Sequence, residues 1–369
     1  MISLNTIALK DALSRVNKCA NRDKSEPLTQ LLHIKTRDAH TIDFTSTDVR
    51  NTLTYTLVDD TADFEMLDFC VLIDQFVKLV SKFNSVKTDM YISETGNEVK
   101  IRADGNYTIS IPIDSDGNPI QYPDVIPGEP VSEVYSGPIS SILSAIGYCE
   151  GSITKLTPDI QVEDYPRTNY YVGDKVISLD GFLATVVSGD FLPFNILVSP
   201  VTLKLLSNFT DEGFKMYKDS KYVVFQNNNC KLLTVEPEGI DAFPNEVAVN
   251  MMQTITGNPV NIAAAVTVQS LNRLNLFTDE TYENNIKLKF NSKGVFAYTI
   301  NEACCEQLSA DPQETEYECY IDINSLIAQL KVYGTDVVTL YYGDTESKCI
   351  KLEFGNVEQL IVLSDLSVD

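Results

Sequence analysis

The side chains that most often carry out catalysis or bind metals are few and scattered in this chain of 369 residues. His33 and His40 are the only histidines, and neither stands near a cysteine or serine at a spacing typical of a nucleophile and its base. The eight cysteines form no Cys-x-x-Cys pair, which argues against a zinc site. Residues 114–118, DSDGN, resemble the start of a calcium loop, but the closing glutamate is missing, so a hairpin turn is predicted instead.

Sequence motifs for nucleotide binding, zinc proteolysis and serine hydrolysis are also absent. We therefore predict a protein that is not an enzyme and has no catalytic residues, metal or cofactor. Cys304 and Cys305 are adjacent, which suits small buried hydrophobic side chains better than a disulfide framework. Since no apolar stretch could span a membrane and no signal segment is present, we expect no membrane association. The expected location is a reducing cytoplasm, that of a bacterium or of a host cell if a virus encodes the chain.

The charge of the chain limits its partners. It has 28 basic and 52 acidic residues, for a net charge of −24. An evenly acidic surface repels nucleic acid. DNA binding is therefore possible only if the basic residues are grouped, and their placement matters more than their number.

Three stretches share one pattern, in which an apolar run is broken by Asp or Asn in a short polar gap and then resumes. They are FTSTDVRNTL (44–53), ISLDGFLATVV (177–187) and GVFAYTINEACC (294–305). Their wide, similar spacing indicates an internal repeat. The local pattern predicts a strand, a tight corner and a second strand.

Helical apolar spacing recurs at similar intervals. First-helix patterns lie at 8–20, 138–149 and 266–277, and second-helix patterns lie at 71–83, 197–209 and 321–334. An aromatic residue, a proline and Asp or Asn also recur, in QYPDV (121–125) and AFPNE (242–246), where proline favours an extended linker.

These intervals are about one third of the chain, which predicts three tandem copies of one domain. We place the copies at residues 1–127, 128–247 and 248–369. Each copy has two helices and antiparallel hairpins with glycine-containing turns, so the predicted class is α+β.

The basic residues recur on the predicted helices. The first helix has one apolar stripe, formed by Leu9, Leu13, Val16 and Ala20. Arg15, Lys18 and Arg22 cluster on its opposite face. The second helix has a stripe formed by Phe76, Val80 and Phe83, and it projects Lys78 and Lys82. Later helices contribute Lys204, Arg273 and Lys331. For one helix a solvated face is the simpler interpretation, whereas recurrence favours one shared basic surface.

With these features the chain resembles the bacterial β sliding clamp, the processivity subunit of replicative DNA polymerase. The resemblance covers the whole chain and is carried by PLTQLLHIKT and DFTSTD in the first copy, YYVGDKVISLDGFLA in the second and LEFGNVEQLIVLSD at the end. It implies a clamp-domain fold and a head-to-tail homodimer that closes into a six-domain ring. Helices would line the hole and sheets would lie outside.

The resemblance also implies two kinds of binding. Double-stranded DNA would pass through the ring and meet basic residues that contact phosphates without reading bases. The implied lining is Arg15, Lys18, Arg22, Lys24, Lys78, Lys82, Lys204, Arg273 and Lys331.

DNA polymerase and the clamp loader would bind through short linear peptides of the Gln-Leu-x-Leu-Phe kind, in an apolar pocket between the second and third copies. The implied pocket residues are Leu179, Gly181, Phe182, Leu183, Met251, Ile361, Val362 and Leu363. The chain departs from the family at Phe182 and Leu183, where polar or basic residues are usual, and in its acidic C-terminal end. The plain alternative is that these side chains fill a core.

Two other classes of protein fit parts of the pattern. One is an acidic, repeat-built structural or scaffold protein of a virus, which does not account for lysines on the helices. The other is a processivity factor that binds DNA without closing a ring.

Overall fold

Seven α-helices form where apolar residues recur every three or four positions. The structure is a computed structural model that describes residues 1–21, 25–209, 213–278, 284–344, 346 and 348–366, and the helices are counted within these ranges. They are α1 (Thr6–Val16), α2 (Ile73–Ser81), α3 (Ser140–Cys149), α4 (Pro200–Leu206), α5 (Asn245–Thr254), α6 (Ala264–Asn275) and α7 (Ile323–Lys331).

Twenty-four β-strands lie in the same ranges, mostly where apolar and polar residues alternate. They are β1 (Ile2–Asn5), β2 (Leu31–Thr36), β3 (Thr41–Thr47), β4 (Asn51–Val58), β5 (Asp68–Leu72), β6 (Lys87–Ile92), β7 (Glu98–Arg102), β8 (Asn106–Ser110), β9 (Tyr135–Gly137), β10 (Tyr170–Val172), β11 (Lys175–Leu179), β12 (Leu183–Ser188), β13 (Ile196–Val198), β14 (Phe214–Lys218), β15 (Tyr222–Gln226), β16 (Cys230–Val235), β17 (Asn258–Ala263), β18 (Asn285–Asn291), β19 (Gly294–Thr299), β20 (Cys305–Ser309), β21 (Tyr317–Asp322), β22 (Val337–Tyr342), β23 (Cys349–Phe354) and β24 (Val357–Val362).

The chain divides into two compact units. Unit 1 comprises Met1–Ile139 and Val201–Glu236, and unit 2 comprises Ser140–Pro200 and Pro237–Asp369. Unit 1 has an eight-stranded sheet in the order β5-β2-β3-β4-β16-β15-β14-β9 and a four-stranded sheet in the order β1-β6-β7-β8. Unit 2 has an eight-stranded sheet in the order β13-β10-β11-β12-β24-β23-β22-β17 and a four-stranded sheet in the order β20-β19-β18-β21. The predicted α+β class with antiparallel sheets is confirmed. The domain boundaries after residues 127 and 247 stay a prediction, because the middle third contributes strands to both units.

The two eight-stranded sheets are built alike. Each joins two groups of four strands at a central antiparallel pair, β4 with β16 in unit 1 and β12 with β24 in unit 2. Thr52 lies opposite Leu233 in the first pair, and Ala184 lies opposite Leu360 in the second. We call each central pair a seam. Side chains alternate along the strands, so neighbouring seam residues face opposite sides of the sheet.

One face of each eight-stranded sheet carries helices. The Ser46 hydroxyl donates a 2.5 Å hydrogen bond to the carbonyl of Val16, the last residue of α1. The Ser178 hydroxyl donates a 2.9 Å hydrogen bond to the carbonyl of Cys149, the last residue of α3. These matching links tie α1 to the sheet of unit 1 and α3 to the sheet of unit 2, in agreement with the predicted repeat.

The three repeated motifs form the predicted corners. A side-chain oxygen of Asp48, Asp180 or Asn301 accepts a hydrogen bond from the backbone N–H two residues further on, at 3.0, 2.9 and 3.0 Å. A short acceptor side chain fits this turn. The shared pattern therefore arises because each corner needs an Asp or Asn.

The residue that follows each acceptor has left-handed backbone geometry. The φ angles are +81° at Val49, +97° at Gly181 and +55° at Glu302. Glycine adopts this conformation without steric cost, whereas a β-branched residue is strained in it. The corner at Val49 therefore carries strain that the corner at Gly181 avoids.

Six helices confirm the predicted helical patterns, with shorter bounds at several ends. The Asn5 side chain caps α1 by accepting hydrogen bonds from the backbone N–H groups of Ile7 and Ala8. Because α1 ends at Val16, Lys18 lies in the turn that follows and not on the predicted helix face. The predicted apolar stripes are buried, as shown by Leu9, Leu13, Val16, Phe76, Val80 and Phe83.

Two expectations were wrong. Helix α5 starts inside AFPNE, directly after Pro244, although this segment was taken only as a linker. Proline is compatible with a helix start because the first N–H groups of a helix have no intrahelical partner. The adjacent cysteines were expected to be buried, but Cys304 is half-buried and Cys305 is exposed. Cys304 lies in the turn before β20, and Cys305 is the first residue of β20. The other cysteines are buried, and burial raises the pKa of Cys319 to about 12.

The strain at Val49 gives a testable expectation. Replacing Val49 by glycine should raise the free energy of unfolding by about 1 kcal/mol, because relief of strain exceeds the entropy cost of glycine. Val58 is a matched control, since Val49 and Val58 are 58% and 56% exposed and Val58 ends a regular strand. Val58→Gly should lower the free energy of unfolding in urea. Equal losses in the two variants would show that Val49 is unstrained.

Candidate functional site

An apolar cavity lies in unit 2 between helix α5 and the sheet strands β11, β12 and β24. Its volume is about 280 Å³. It is lined by Arg167, Leu179, Gly181, Phe182, Leu183, Ala184, Pro244, Val247, Ala248, Met251, Leu360 and Val362.

The strands supply the floor of this cavity. Leu179 pairs with Ala184, and Ala184 pairs with Leu360, so the three side chains form one row across β11, β12 and β24. Ser178 on the same strand faces the opposite side, where it binds the end of α3. The cavity is therefore on the sheet face that points away from α3.

Helix α5 supplies one wall. Ala248 and Met252 are buried in the core of unit 2 and anchor the helix to the sheet. Val247 and Met251 are 59% and 39% exposed and lie on the cavity side. A helix with buried anchors and accessible apolar side chains can present those side chains to a ligand without unfolding.

The rim is formed by the second corner. Phe182 is 71% exposed and borders the same cavity as the exposed Val247 and Met251, so the three side chains form one accessible apolar patch. A Cβ atom on Gly181 would lie 3.5 Å from an Nη atom of Arg167, so this guanidinium lies against the corner. Arg167 also forms an ion pair with Asp164. The cavity thus has one cationic group at its rim and an apolar interior.

Six of the eight predicted pocket residues line this cavity: Leu179, Gly181, Phe182, Leu183, Met251 and Val362. Ile361 and Leu363 are not among the lining residues. Ile361 is buried and alternates with Leu360 and Val362, so its side chain is on the other face of β24. The Leu363 backbone N–H donates a hydrogen bond to the Lys348 carbonyl at 2.8 Å.

Sequence reasoning missed half of the lining, namely Arg167, Ala184, Pro244, Val247, Ala248 and Leu360. The helical spacing of Val247, Ala248 and Met251 was available as a signal, but the preceding proline hid it. Arg167 lies in a short 3-10 segment, Val162–Thr168, which has no periodic pattern.

The basic residues predicted to meet DNA differ in their contacts. Arg15 donates hydrogen bonds to the Asp11 carboxylate at 2.9 Å and to the Asn208 carbonyl at 3.2 Å, and it lies over the Tyr55 ring. Lys18 donates to the Asn208 side chain at 3.1 Å. The side chains of Arg15 and Lys18 are therefore held in place by hydrogen bonds to other residues of unit 1. Arg22 and Lys24 lie outside the described residues.

Arg273 is also held. It binds both carboxylate oxygens of Glu306, at 2.8 and 2.7 Å, and its hydrogen bonds keep the pKa of that carboxyl below its usual range. Such a bidentate pair leaves little uncompensated charge for a phosphate.

Four lysines remain accessible. Lys78 is exposed and lies 3.6 Å from Asp74. Lys82, Lys204 and Lys331 are exposed, and none of the three forms an ion pair with another residue that the structure describes. They belong to or follow α2, α4 and α7. The structure thus separates the predicted cations into a held group and an accessible group.

The turn at 114–118 confirms the predicted hairpin. The Asp114 side chain accepts hydrogen bonds from the backbone N–H groups of Asp116 and Asn118, both at 2.9 Å. In the part of the chain that the structure describes, no three His, Cys, Asp or Glu side chains come close enough to hold a metal ion. No helix there is long and apolar enough to cross a membrane.

No protein-family model and no curated protein matches the sequence. Solved structures match over 99% of this chain. The DNA polymerase III subunit beta from Pseudomonas aeruginosa superimposes with a TM-score of 0.83 at 15% identity, over 100% of its own chain. The DNA polymerase III beta chain from Streptococcus pneumoniae gives 0.84 at 16% identity over 100% of its chain, and that from Thermotoga maritima gives 0.80 at 13% over 99%. The chain therefore has the fold of the β sliding clamps, as the resemblance implied.

The geometry of the cavity predicts which of its residues can be changed without loss of the fold. Leu360 is buried in the core, so Leu360→Ala should lower the free energy of unfolding by about 2–5 kcal/mol. Met251→Ala should cost less than about 1 kcal/mol, because the side chain is partly exposed already. Urea denaturation of both variants tests this difference. A large loss for Met251→Ala would mean that Met251 is a core residue and not part of a binding surface.

Proposed function

We propose that the chain is a DNA sliding clamp. Two copies close around duplex DNA and tether the replicative DNA polymerase, and other DNA-processing proteins, through short peptides. The observation that carries this proposal is the apolar cavity of unit 2, found at six of the eight positions that the family resemblance implies, in a chain with the clamp fold over its whole length.

The cavity suits a short linear peptide. It is small, apolar and bordered by exposed hydrophobic side chains, and such sites bind a few anchor residues and not a large flat surface. The flexible thioether of Met251 can adjust to different anchors. Phe182 and Leu183 stand where polar or basic residues are usual in the family, so the rim of this cavity is more apolar. The solved clamp from Pseudomonas aeruginosa with griselimycin shows that a clamp of this fold takes a bound ligand.

The placement of charge suits weak contact with DNA. Lys331 ends α7, and the side chain of Gln329 in α7 approaches the Thr185 hydroxyl at 3.4 Å on the sheet face opposite the cavity. A peptide in the cavity and phosphates near the helices would therefore not compete. A closed ring holds DNA topologically, so a few mobile lysine contacts suffice, and the acidic remainder of the surface repels DNA.

Homodimerisation is part of the proposal. One end strand of each four-stranded sheet is β8 in unit 1 and β20 in unit 2, and among the described strands neither is paired on its outer edge. Such edges pair readily with another chain. Leu276 and Phe277 are exposed directly after α6, which packs beside β20. We infer that β8 of one copy meets β20 of the other, with these two apolar side chains covered at the contact.

Peptide affinity tests the cavity. The double variant Phe182→Ala, Met251→Ala should bind a labelled Gln-Leu-x-Leu-Phe peptide about 5- to 150-fold more weakly, which corresponds to about 1–3 kcal/mol, because both anchoring walls are truncated. Leu156→Ala is a suitable control, since Leu156 is an exposed apolar residue of unit 2 outside the cavity. Fluorescence anisotropy measures the affinities. If the double variant and the control bind equally well, the cavity is not the peptide site.

Retention on circular DNA tests the clamp activity. After loading on nicked circles, the wild-type protein should co-elute with the DNA and be lost when the circles are linearised. Reversing Lys82, Lys204 and Lys331 to glutamate should reduce the loaded fraction several-fold, since about three phosphate contacts are lost.

The control variant reverses three exposed loop lysines, Lys155, Lys221 and Lys293, which changes the net charge equally. Sedimentation equilibrium should give a dimer for all three proteins. A monomeric mass, or equal retention on linear and circular DNA, would contradict the clamp proposal. Equal loading of the two triple variants would contradict the role given to the helix lysines.

A further inference from the structure

A second cavity, of about 290 Å³, occupies in unit 1 the place that the apolar cavity occupies in unit 2. Thr52 and Leu233 pair across the seam of unit 1 and line the second cavity. Their counterparts across the seam of unit 2 are Ala184 and Leu360, which line the apolar cavity. Both cavities therefore lie over the same position of the same sheet architecture, on the face away from α1 in unit 1 and away from α3 in unit 2.

The two linkers border their cavities in the same way. In unit 1 the Tyr122 ring stacks on His33 of β2, with centroids 4.9 Å apart. In unit 2 the Phe243 ring stacks on Tyr171 of β10, with centroids 5.4 Å apart. The next residue is a proline in both linkers, and Pro123 and Pro244 each line the cavity of their own unit. The recurrence of aromatic and proline in the sequence thus marks two equivalent walls.

The row of paired side chains next to Thr52 and Leu233 lines the cavity of unit 1, whereas the corresponding row of unit 2 is not part of the apolar lining. In unit 1 one row of paired side chains crosses β2, β3, β4 and β16, and it consists of His33, Thr45, Thr54 and Lys231. In unit 2 the corresponding row crosses β10, β11, β12 and β24, and it consists of Tyr171, Ile177, Val186 and Glu358. Ile177 and Val186 of the second row are replaced by Thr45 and Thr54 in the first, and the Glu358 carboxylate is replaced by the Lys231 ammonium.

The cover differs as well. After Pro244 the chain forms helix α5, which fills one side of the apolar cavity. After Pro123 the chain forms no helix or strand before β9, and Ile126 at the cavity is exposed. The cavity of unit 1 is therefore an open trough with a polar floor and an extended wall.

One cation in this trough forms no ion pair of its own within the described residues, although the Asp43 carboxylate is near it. Arg37 forms an ion pair with Asp43, and Lys35 lies 3.1 Å from Asp68 and 3.5 Å from Asp124. Lys231 is half-buried and makes no ion pair with a residue that the structure describes. Burial lowers the pKa of Lys231 and the nearby Arg37 guanidinium lowers it further, whereas the Asp43 carboxylate, which is paired with Arg37, raises it by less. An anion beside this ammonium would offset both effects.

We propose that this trough is a second docking site and that it takes a linear peptide through one carboxylate side chain, held by Lys231 and the threonine hydroxyls. The choice of a peptide rests on the proposed function of the equivalent cavity in unit 2. The choice of a carboxylate rests on charge. One ammonium without an ion pair of its own matches one negative charge, whereas a phosphate would bring close to two.

The test uses a fluorescein-labelled octapeptide of alternating serine and glutamate, titrated into the full chain at about 0.15 M salt, where nonspecific surface attraction is screened. Lys231→Gln should raise the Kd at least tenfold, and Lys231→Arg should stay within threefold of the wild type. Lys221→Gln is the matched control, because Lys221 is an exposed lysine of the same unit outside the trough, and it should change the Kd less than twofold. The midpoint of thermal unfolding shows whether each variant is folded. If Lys231→Gln is unstable, Lys231→Met takes its place.

Three results would overturn the proposal: equal losses for Lys231→Gln and Lys221→Gln, equal binding of a serine-glutamine octapeptide, or displacement by an equal concentration of inorganic phosphate. The labelled Gln-Leu-x-Leu-Phe peptide is titrated in parallel. Its affinity should not respond to Lys231→Gln, and the acidic peptide should not respond to Phe182→Ala, Met251→Ala. If the wild type binds only one of the two peptides, the site proposed for the other peptide is wrong.

Discussion

The structure depends on the antiparallel pairing of strands that are far apart in sequence at the centre of each eight-stranded sheet. In unit 1 β4 pairs with β16, and in unit 2 β12 pairs with β24. Each pair forms backbone hydrogen bonds that fix the register, and the register decides which side chains point to which face. On one face, polar residues such as Thr202, which bonds to Asn51 and Thr234, attach helices to the sheet. On the other face, the same strands form the floor of a cavity. Each of the two proposed binding sites therefore depends on the central strand pair of its own unit.

This arrangement bears on the proposed clamp function of a strongly acidic chain. In unit 2, Lys331 ends α7, which contacts the sheet on the face opposite the apolar cavity. Arg15 and Arg273 were expected to act with the accessible lysines, but they bind Asn208 and Glu306 within their own units. Their contacts make them better suited to hold the helices in place than to contact phosphates. The lysines that do not form such pairs keep their charge available to a partner.

Much of the fold could be predicted from local sequence patterns, because each turn and each helix requires particular residue types within a few positions of one another. The three corners were recognisable since each needs a short acceptor side chain, and the helices were recognisable from the stripes that contain Leu9 and Phe76. Pairing between distant strands left no such local signal. The face of Ile361 depends on the register of β24, and the ion pair of Arg273 depends on where β20 places Glu306. Helix α5 was missed because Pro244 and Phe243 are equally typical of a linker, and only the buried anchors Ala248 and Met252 distinguish the two.

The alternation along β24 has a consequence for how this protein can change over evolutionary time. Gln359 and Ile361 face the helices, while Leu360 and Val362 face the cavity. One inserted or deleted residue inside this strand would exchange the two sets, placing an amide in the apolar floor and two large aliphatic groups among the polar helix contacts. Substitutions at Leu360 or Val362 alter one face at a time, so variation in partner preference can accumulate there by replacement. We expect changes in length in the linkers and not within the seam strands, so that related sequences would show gaps outside these strands.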